Sequence, residues 1–274
     1  MNRIRLLAAL CACVLLTACE GGRQLVASSG TTPGTDGQGR LFLIEPGPNA
    51  TTQMVLASIE ARPGDIIEFS AGYFELSSGI QLTGTEDILI RGAGRDDTVL
   101  SFKYSNSQEG VLASNVRGLT IENLTVLDPP GDAFKLQGVN WGTLRGVRAI
   151  WSSGRHLENE SLITAENYGS AMNIACTDPA RHNPNNPNPL ETDTSSPDYT
   201  VSNLSGRYGI YPVNSQNILV DDAISIGASD AGIYVGQTDT AIIKNSYAAF
   251  NVFGFEIENV RGVEYVHNLA ECNT

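Results

Sequence analysis

Short apolar runs recur through the second half of this chain at a nearly fixed interval. Gly209-Ile210-Tyr211, Gly232-Ile233-Tyr234 and Gly254-Phe255-Glu256 open three similar segments, with steps of 23 and 22 residues. A second run keeps pace with the first: Ile218-Leu219-Val220, Ala241-Ile242-Ile243 and Val263-Glu264-Tyr265. The runs are short and bounded by Gly, Asn, Asp or Ser, which is strand punctuation rather than helix punctuation. The unit extends backwards through Gly79-Ile80-Gln81-Leu82, Gly110-Val111-Leu112-Ala113 and Ala133-Phe134-Lys135-Leu136. Asp87-Ile88-Leu89-Ile90 and Gly118-Leu119-Thr120-Ile121 match the second run. The step from Gly79 to Gly110 is 31 residues, so that unit carries a longer loop. No window from Gly79 to Thr274 holds a long 3.6-residue apolar period.

A fixed period of this size predicts an all-β solenoid, a parallel β-helix with coils of about 22–23 residues. One such coil cannot bury its own apolar face. Stacked on its neighbours it can, with strands about 4.8 Å apart. Ile210, Ile233 and Phe255 are then expected to point inward as one stack. Tyr211, Tyr234 and Glu256 follow them and are expected to point outward, because side chains alternate faces along a strand. Asn123, Asp222 and Asn245 fall at equivalent turn positions, and both residue types tolerate left-handed turn geometry. A β-sandwich would need antiparallel hairpin signals at shorter spacing. The stretch Thr51–Ala61 reads as a short helix, with Met54, Ala57 and Ile59 among its apolar residues and cap-type Asn49 and Thr51 at its start. Such a helix suits a plug over the open end of the apolar stack.

The N-terminus changes the picture. Arg3 and Arg5 precede an apolar run from Leu6 to Leu16, the order of an export signal too short to span a membrane. Leu16-Thr17-Ala18-Cys19 then resembles a bacterial lipobox, which implies a signal peptide over residues 1–18 and lipidation of Cys19. Glu20 at the next position favours the outer membrane of a Gram-negative envelope. Residues 19–40 are rich in Gly, Ser and Thr and read as a flexible tether. The β-helix domain is assigned to residues 41–274.

The net charge is −13, with 17 basic and 30 acidic residues. Removing residues 1–18 deletes Arg3 and Arg5 and takes the charge to −15. Such a surface repels nucleic acid, so no nucleic-acid partner is expected, and membrane contact is expected only through the lipid anchor. Of five cysteines, Cys11 and Cys13 leave with the signal and Cys19 carries lipid. Cys176 and Cys272 remain and could pair in an oxidising compartment, although no spacing motif supports the pair.

The run ARPGDIIEFSAGYFELSSGIQLTGTEDILIRGAGRDDTVLSF resembles the opening coils of right-handed parallel β-helix proteins of the pectate-lyase-like superfamily. The later SQNILVDDAISIGASDAGIYVGQTDTAIIKNSYAAFNVFGFEIENV is similar to the repeats of an exported, often lipidated β-helix family without assigned activity. The resemblance covers roughly Leu43 to Thr274 and implies fold rather than reaction, since one fold hosts many functions. Two departures stand out. An interruption at about 152–206 separates Ala133 from Gly209 by 76 residues where one coil is due. It reads as a surface insertion or as a lid over the outer face. And Thr274 falls partway through a coil, so further coils and a cap are expected beyond it.

The chemistry is less legible. There is no His-Glu-x-x-His, no zinc-type cysteine pairing, no phosphate loop and no Gly-x-Ser-x-Gly. His156, His182 and His267 are scattered, so no metal site is assigned. What remains is an outward ladder with its turn residues. From it the candidate ligand-binding set is Asp128, Asp132, Lys135, Arg207, Tyr208, Tyr211, Asp230, Tyr234 and Glu256. Sugar rings stack on aromatic faces while hydroxyls bond to charged groups, so a polysaccharide suits this face; a partner protein of the envelope is the other binder considered. The bland account is an ordinary exposed sheet face, in which Tyr is a good strand residue and charges keep it soluble.

Lyases and epimerases on this fold need a base near the sugar C5 and a group that neutralises the carboxylate, often Ca²⁺. Lys135, Arg207 and Tyr211 are the candidate catalytic bases, and Asp128, Asp132 and Asp230 the candidate cation holders. The Asp-Pro-His-Asp pattern of alginate epimerases is missing, because Asp128-Pro129-Pro130-Gly131-Asp132 has no His. A hydrolase would use clustered carboxylates, for which Asp221-Asp222 and Glu256/Glu258 are the nearest pairs. A third class is a non-catalytic periplasmic scaffold or maturation factor. The residues leave these readings open.

Overall fold

The path of the chain repeats three strands per turn, and each strand lies on its counterpart in the turn before. The structure, a computed structural model, describes residues 30–32, 39–152 and 205–273. The signal peptide, Cys19, most of the tether and nearly all of the 152–206 insertion, with Cys176, His156 and His182, lie outside the described residues.

Three parallel sheets of nine, seven and six strands form a β-solenoid of about eight turns. Strands Ile66–Phe69, Gly72–Glu75 and Ile80–Thr83 visit the three sheets in that order, and Glu86–Arg91, Thr98–Ser101 and Val111–Ser114 repeat the circuit. Among the described residues the one antiparallel pairing joins Gly30–Thr32 to Leu41–Ile44. Part of the span read as tether is therefore a strand.

The register follows the expected stacking. Ile80, Val111, Phe134, Ile210, Ile233 and Phe255 lie directly above one another in the six-stranded sheet. Ile90, Ile121, Leu144, Val220, Ile243 and Tyr265 do the same in the nine-stranded sheet. Except for Tyr265, which is exposed, these rows meet in one apolar core, to which Phe255 adds a partly buried ring. Each fully buried side chain contributes about 1.5–3 kcal/mol of transfer free energy. Many of the corners turn on a left-handed residue. Asn123, Asp222, Asn245 and His267, between the nine- and seven-stranded sheets, have φ of 57°, 52°, 54° and 55°, and Asn115, Asn214 and Asn259 mark the corner from the six- to the nine-stranded sheet in the same way. Asn and Asp supply this geometry at little cost because their short polar side chains bond locally.

The helix spans Ala50–Glu60, one residue earlier than expected at each end. It buries Ala50, Met54 and Ala57, while Ile59 is exposed, contrary to its place among the apolar residues. Asn49 is the N-cap but makes no side-chain cap bond. The helix follows Leu41–Ile44, a strand of the nine-stranded sheet, and packs mainly on Ile80–Thr83 at the edge of the six-stranded sheet. It thus fills the level where the first turn has no strand in the other two sheets. Asp65 buckles this end. Its carboxylate accepts from the Arg40 guanidinium at 2.7 Å and from the backbone N–H groups of Arg40 and Arg62 at 2.7 and 2.8 Å. Burial opposes its ionisation, but these hydrogen bonds outweigh that and hold its pKa below the ordinary value.

The seven-stranded sheet is buried on both faces. Val126 and Leu100 face the main core, while Val99, Leu127, Ile150, Ile226 and Ala249 form a second apolar cluster with Phe250 and Cys272. Cys272 is disulfide-bonded and is the one cysteine among the described residues, so its partner lies outside them.

Candidate functional site

The Gly-Ile-Tyr repeat has a steric basis. A Cβ on Gly209 would lie 2.0 Å from Ser225 Oγ, and one on Gly232 would lie 2.7 Å from Asn251 Nδ2. Glycine lets each strand start beside these buried polar groups. The next residue enters the core and the one after faces outward. Lys135 stacks on Leu112 below and Tyr211 above, and Tyr234 pairs with Glu256.

Tyr208, Tyr211 and Tyr234 form one aromatic cluster. Ring centroids are 4.5 Å apart for Tyr208–Tyr211, 5.0 Å for Tyr208–Tyr234 and 5.1 Å for Tyr211–Tyr234. The rings touch each other, so no cage opens between them; they offer a continuous aromatic surface. Tyr234 is only 7% exposed, and its hydroxyl donates to Glu258 at 2.7 Å. Outward direction therefore does not mean exposure at Tyr234, because the neighbouring rings and Glu258 cover it. Tyr208 and Tyr211 remain half-buried.

Charged groups flank the rings on two sides. Lys135 Nζ lies 3.3 Å from Asp132 Oδ2, 3.5 Å from Glu109 Oε1 and 5.4 Å from the Tyr211 centroid. Arg207 donates to Asp230 Oδ2 at 3.3 Å and to the Tyr208 hydroxyl at 3.2 Å, with its guanidinium carbon 5.0 Å from the Tyr208 centroid. Desolvation and the charge of Asp230 push the Tyr208 phenol up to about 12. Desolvation and the Glu258 hydrogen bond raise Tyr234 as well. Burial alone would lower Lys135, but Asp132 and Glu109 outweigh it and hold the ammonium above its ordinary pKa. Arg207 is held up by Tyr208 and Asp230. Burial raises Asp132 against the pull of Lys135, and burial with Asp230 and Glu258 raises Glu256. A general base works best with a pKa near the working pH. Lys135, Arg207 and Tyr208 are moved the other way and stand as hydrogen-bond donors.

Asp132, Lys135, Arg207, Tyr208, Tyr211, Asp230, Tyr234 and Glu256 are thus on one face. Asp128 has a different role. It sits at φ 50° at the end of Thr125–Leu127, and its carboxylate accepts from the Ser152 backbone N–H at 2.5 Å and from the Ser152 hydroxyl. Desolvation raises its pKa despite these bonds. It is a turn lock, so the expected Asp128–Asp132–Asp230 cation set is not assembled. Among the described residues no three His, Cys, Asp or Glu groups are placed to hold a metal ion. Asp221 and Asp222 tie coils together instead: Asp221 accepts from Asn245 of the next coil at 2.9 Å, and Asp222 accepts from Arg95, three coils back, at 3.0 Å.

Glu109 was not anticipated. It occupies the coil position of Asp132, since Gly110 N–H bonds to the Asp132 carbonyl and Val111 pairs with Phe134. Aligning the turn residues coil by coil, rather than the strands alone, finds it. No protein-family model matches this chain, and no curated protein matches it in sequence.

Proposed function

We propose that this chain is a carbohydrate-recognition solenoid that binds a polysaccharide along the outer face of its six-stranded sheet. The observation that supports the reading is the contact cluster of Tyr208, Tyr211 and Tyr234 with paired ions on both sides. Half-buried phenol rings offer an apolar surface to a sugar ring, and the flanking carboxylates and cations bond its hydroxyls. Catalysis by a lyase or epimerase route is less well supported, because Lys135 and Arg207 are held protonated and Asp128 is locked in a turn. The face also carries Glu109, Asp132, Asp230, Glu256 and Glu258 against two cations, Lys135 and Arg207, which disfavours a uronate chain. Envelope localisation through a lipidated Cys19 belongs to the same reading. The disulfide at Cys272 is in keeping with an oxidising compartment.

The test is a panel of neutral, amino-sugar and uronate polysaccharides, scored for binding and for unsaturated uronate products. Binding of a neutral chain without product is expected, with Kd raised about tenfold by Tyr211→Ala, the cost of about 1.4 kcal/mol of stacking. Unchanged affinity in that variant would reject the face. Product release from a uronate would favour the lyase, and binding to nothing in the panel would favour the scaffold.

A further inference from the structure

Trp141 combines a left-handed backbone with an exposed indole. It lies in strand Asn140–Arg145 of the nine-stranded sheet, is 64% exposed, and has φ of 64°. The register places Gly118 below it and Asn217 above, because Asn140 and Gly142 pair with Arg117 and Leu119 on one side and with Gln216 and Ile218 on the other. The row continues to Asp87, Thr240 and Gly262 by the same count. All six residues are left-handed. Gly and Asn adopt that conformation readily, whereas a bulky side chain there is an outlier. Trp141 therefore strains its backbone at a position where packing returns little. Strain held at an exposed aromatic points to function rather than to folding.

The surroundings narrow the ligand. Trp141 is six residues after Lys135 on the same coil, just past the corner at Gly138. Around this corner lie the amides Gln137, Asn140, Gln216, Asn217 and Gln237, with Asn217 donating to Asn140 at 3.1 Å. Amides both donate to and accept from hydroxyls and bring no charge. Arg117, the cation nearest in register, is already paired with Glu86. Nothing here attracts phosphate or carboxylate, while an indole face flanked by amides fits a neutral sugar ring.

We infer that Trp141 is a second sugar-stacking platform, extending the polysaccharide site of the six-stranded sheet around the corner onto the nine-stranded sheet for a neutral glycan. The ligand class rests on the carbohydrate reading of the tyrosine face; the placement rests on Trp141 alone.

The test uses cellohexaose and chitohexaose, with polygalacturonate as the charged control. The chain has two tryptophans, and Trp151 is 1% exposed. The difference in acrylamide quenching between the native protein and Trp141→Asn therefore reports Trp141. A neutral hexaose is expected to shield it, polygalacturonate is not, and Trp141→Asn is expected to raise Kd about tenfold. The same variant is expected to raise Tm by about 2–4 °C as the strain is relieved. Shielding with a loss of affinity in Trp141→Asn but not in Tyr211→Ala would keep this platform and reject the tyrosine face. Loss in Tyr211→Ala alone would overturn the platform. So would the absence of shielding by either hexaose, or a fall in Tm on substitution, which would make Trp141 a structural residue.

Discussion

Phe134→Ala is expected to lower unfolding stability by about 3–5 kcal/mol, the largest effect of any single truncation considered. Phe134 is 0% exposed and stands between Val111 and Ile210 in the inward row of the six-stranded sheet. Its ring fills the centre of one turn. Its truncation leaves a void that rigid strands above and below cannot close. In a solenoid each turn is held by its neighbours, so the damage is expected to concentrate on the interfaces with the turns of Val111 and Ile210. Urea unfolding measures the loss, and a change below about 1 kcal/mol would mean that the turns are not packed through this row.

Asn251→Leu is expected to cost about 2–4 kcal/mol although it adds apolar surface to a buried site. Asn251 is 0% exposed. Its amide oxygen accepts from Ala228 N–H at 2.9 Å, and its nitrogen donates to the Ser225 carbonyl at 3.2 Å and to Asn273 Oδ1 at 3.0 Å. Leucine abandons the Ala228 N–H and the Ser225 carbonyl where water does not replace the bonds, and an unpaired buried group costs about 1–3 kcal/mol. It also crowds Gly232, where even a Cβ would stand only 2.7 Å from Asn251 Nδ2. The strand carrying Tyr234 starts there, so weaker glycan binding is expected beside the lower stability. Thermal unfolding and glycan titration of one variant check both. A stability equal to that of the native protein would show that the amide is not a hydrogen-bonding post.

These effects bear on what was readable in the chain before its structure. The Gly-Ile-Tyr period was readable because glycine is sterically required at the strand start and the apolar side chain in the core. The left-handed corners were readable because Asn and Asp carry that geometry in their own chemistry. The seven-stranded sheet was hidden. Its strands Thr125–Leu127 and Arg148–Ile150 have three residues each and are buried throughout, so no alternation marks them. Within the site, Tyr208, Tyr211 and Tyr234 were found from coil position. Position gives direction but not cover, and Tyr234 turned out to be shielded by its own neighbours. Asp128 misled because Asp-Pro-Pro-Gly-Asp resembles a ligand loop. Its true partner, Ser152, lies 24 residues on, one coil away. Trp141 escaped notice because backbone conformation, not residue type, makes it unusual.

Everything rests on the turns stacking in register. Paired cysteines test that most directly. Thr120 and Thr143 face each other across neighbouring turns of the nine-stranded sheet. At about 4.8 Å between parallel strands, their Cα atoms lie within disulfide reach. Thr120→Cys with Thr143→Cys is expected to form an intramolecular disulfide on mild oxidation, seen by peptide mapping. Thr120→Cys with Arg145→Cys, offset by two residues to about 8 Å, is not. Closure of the offset pair in place of the aligned one would contradict the register and, with it, the placement of every residue on the proposed glycan face.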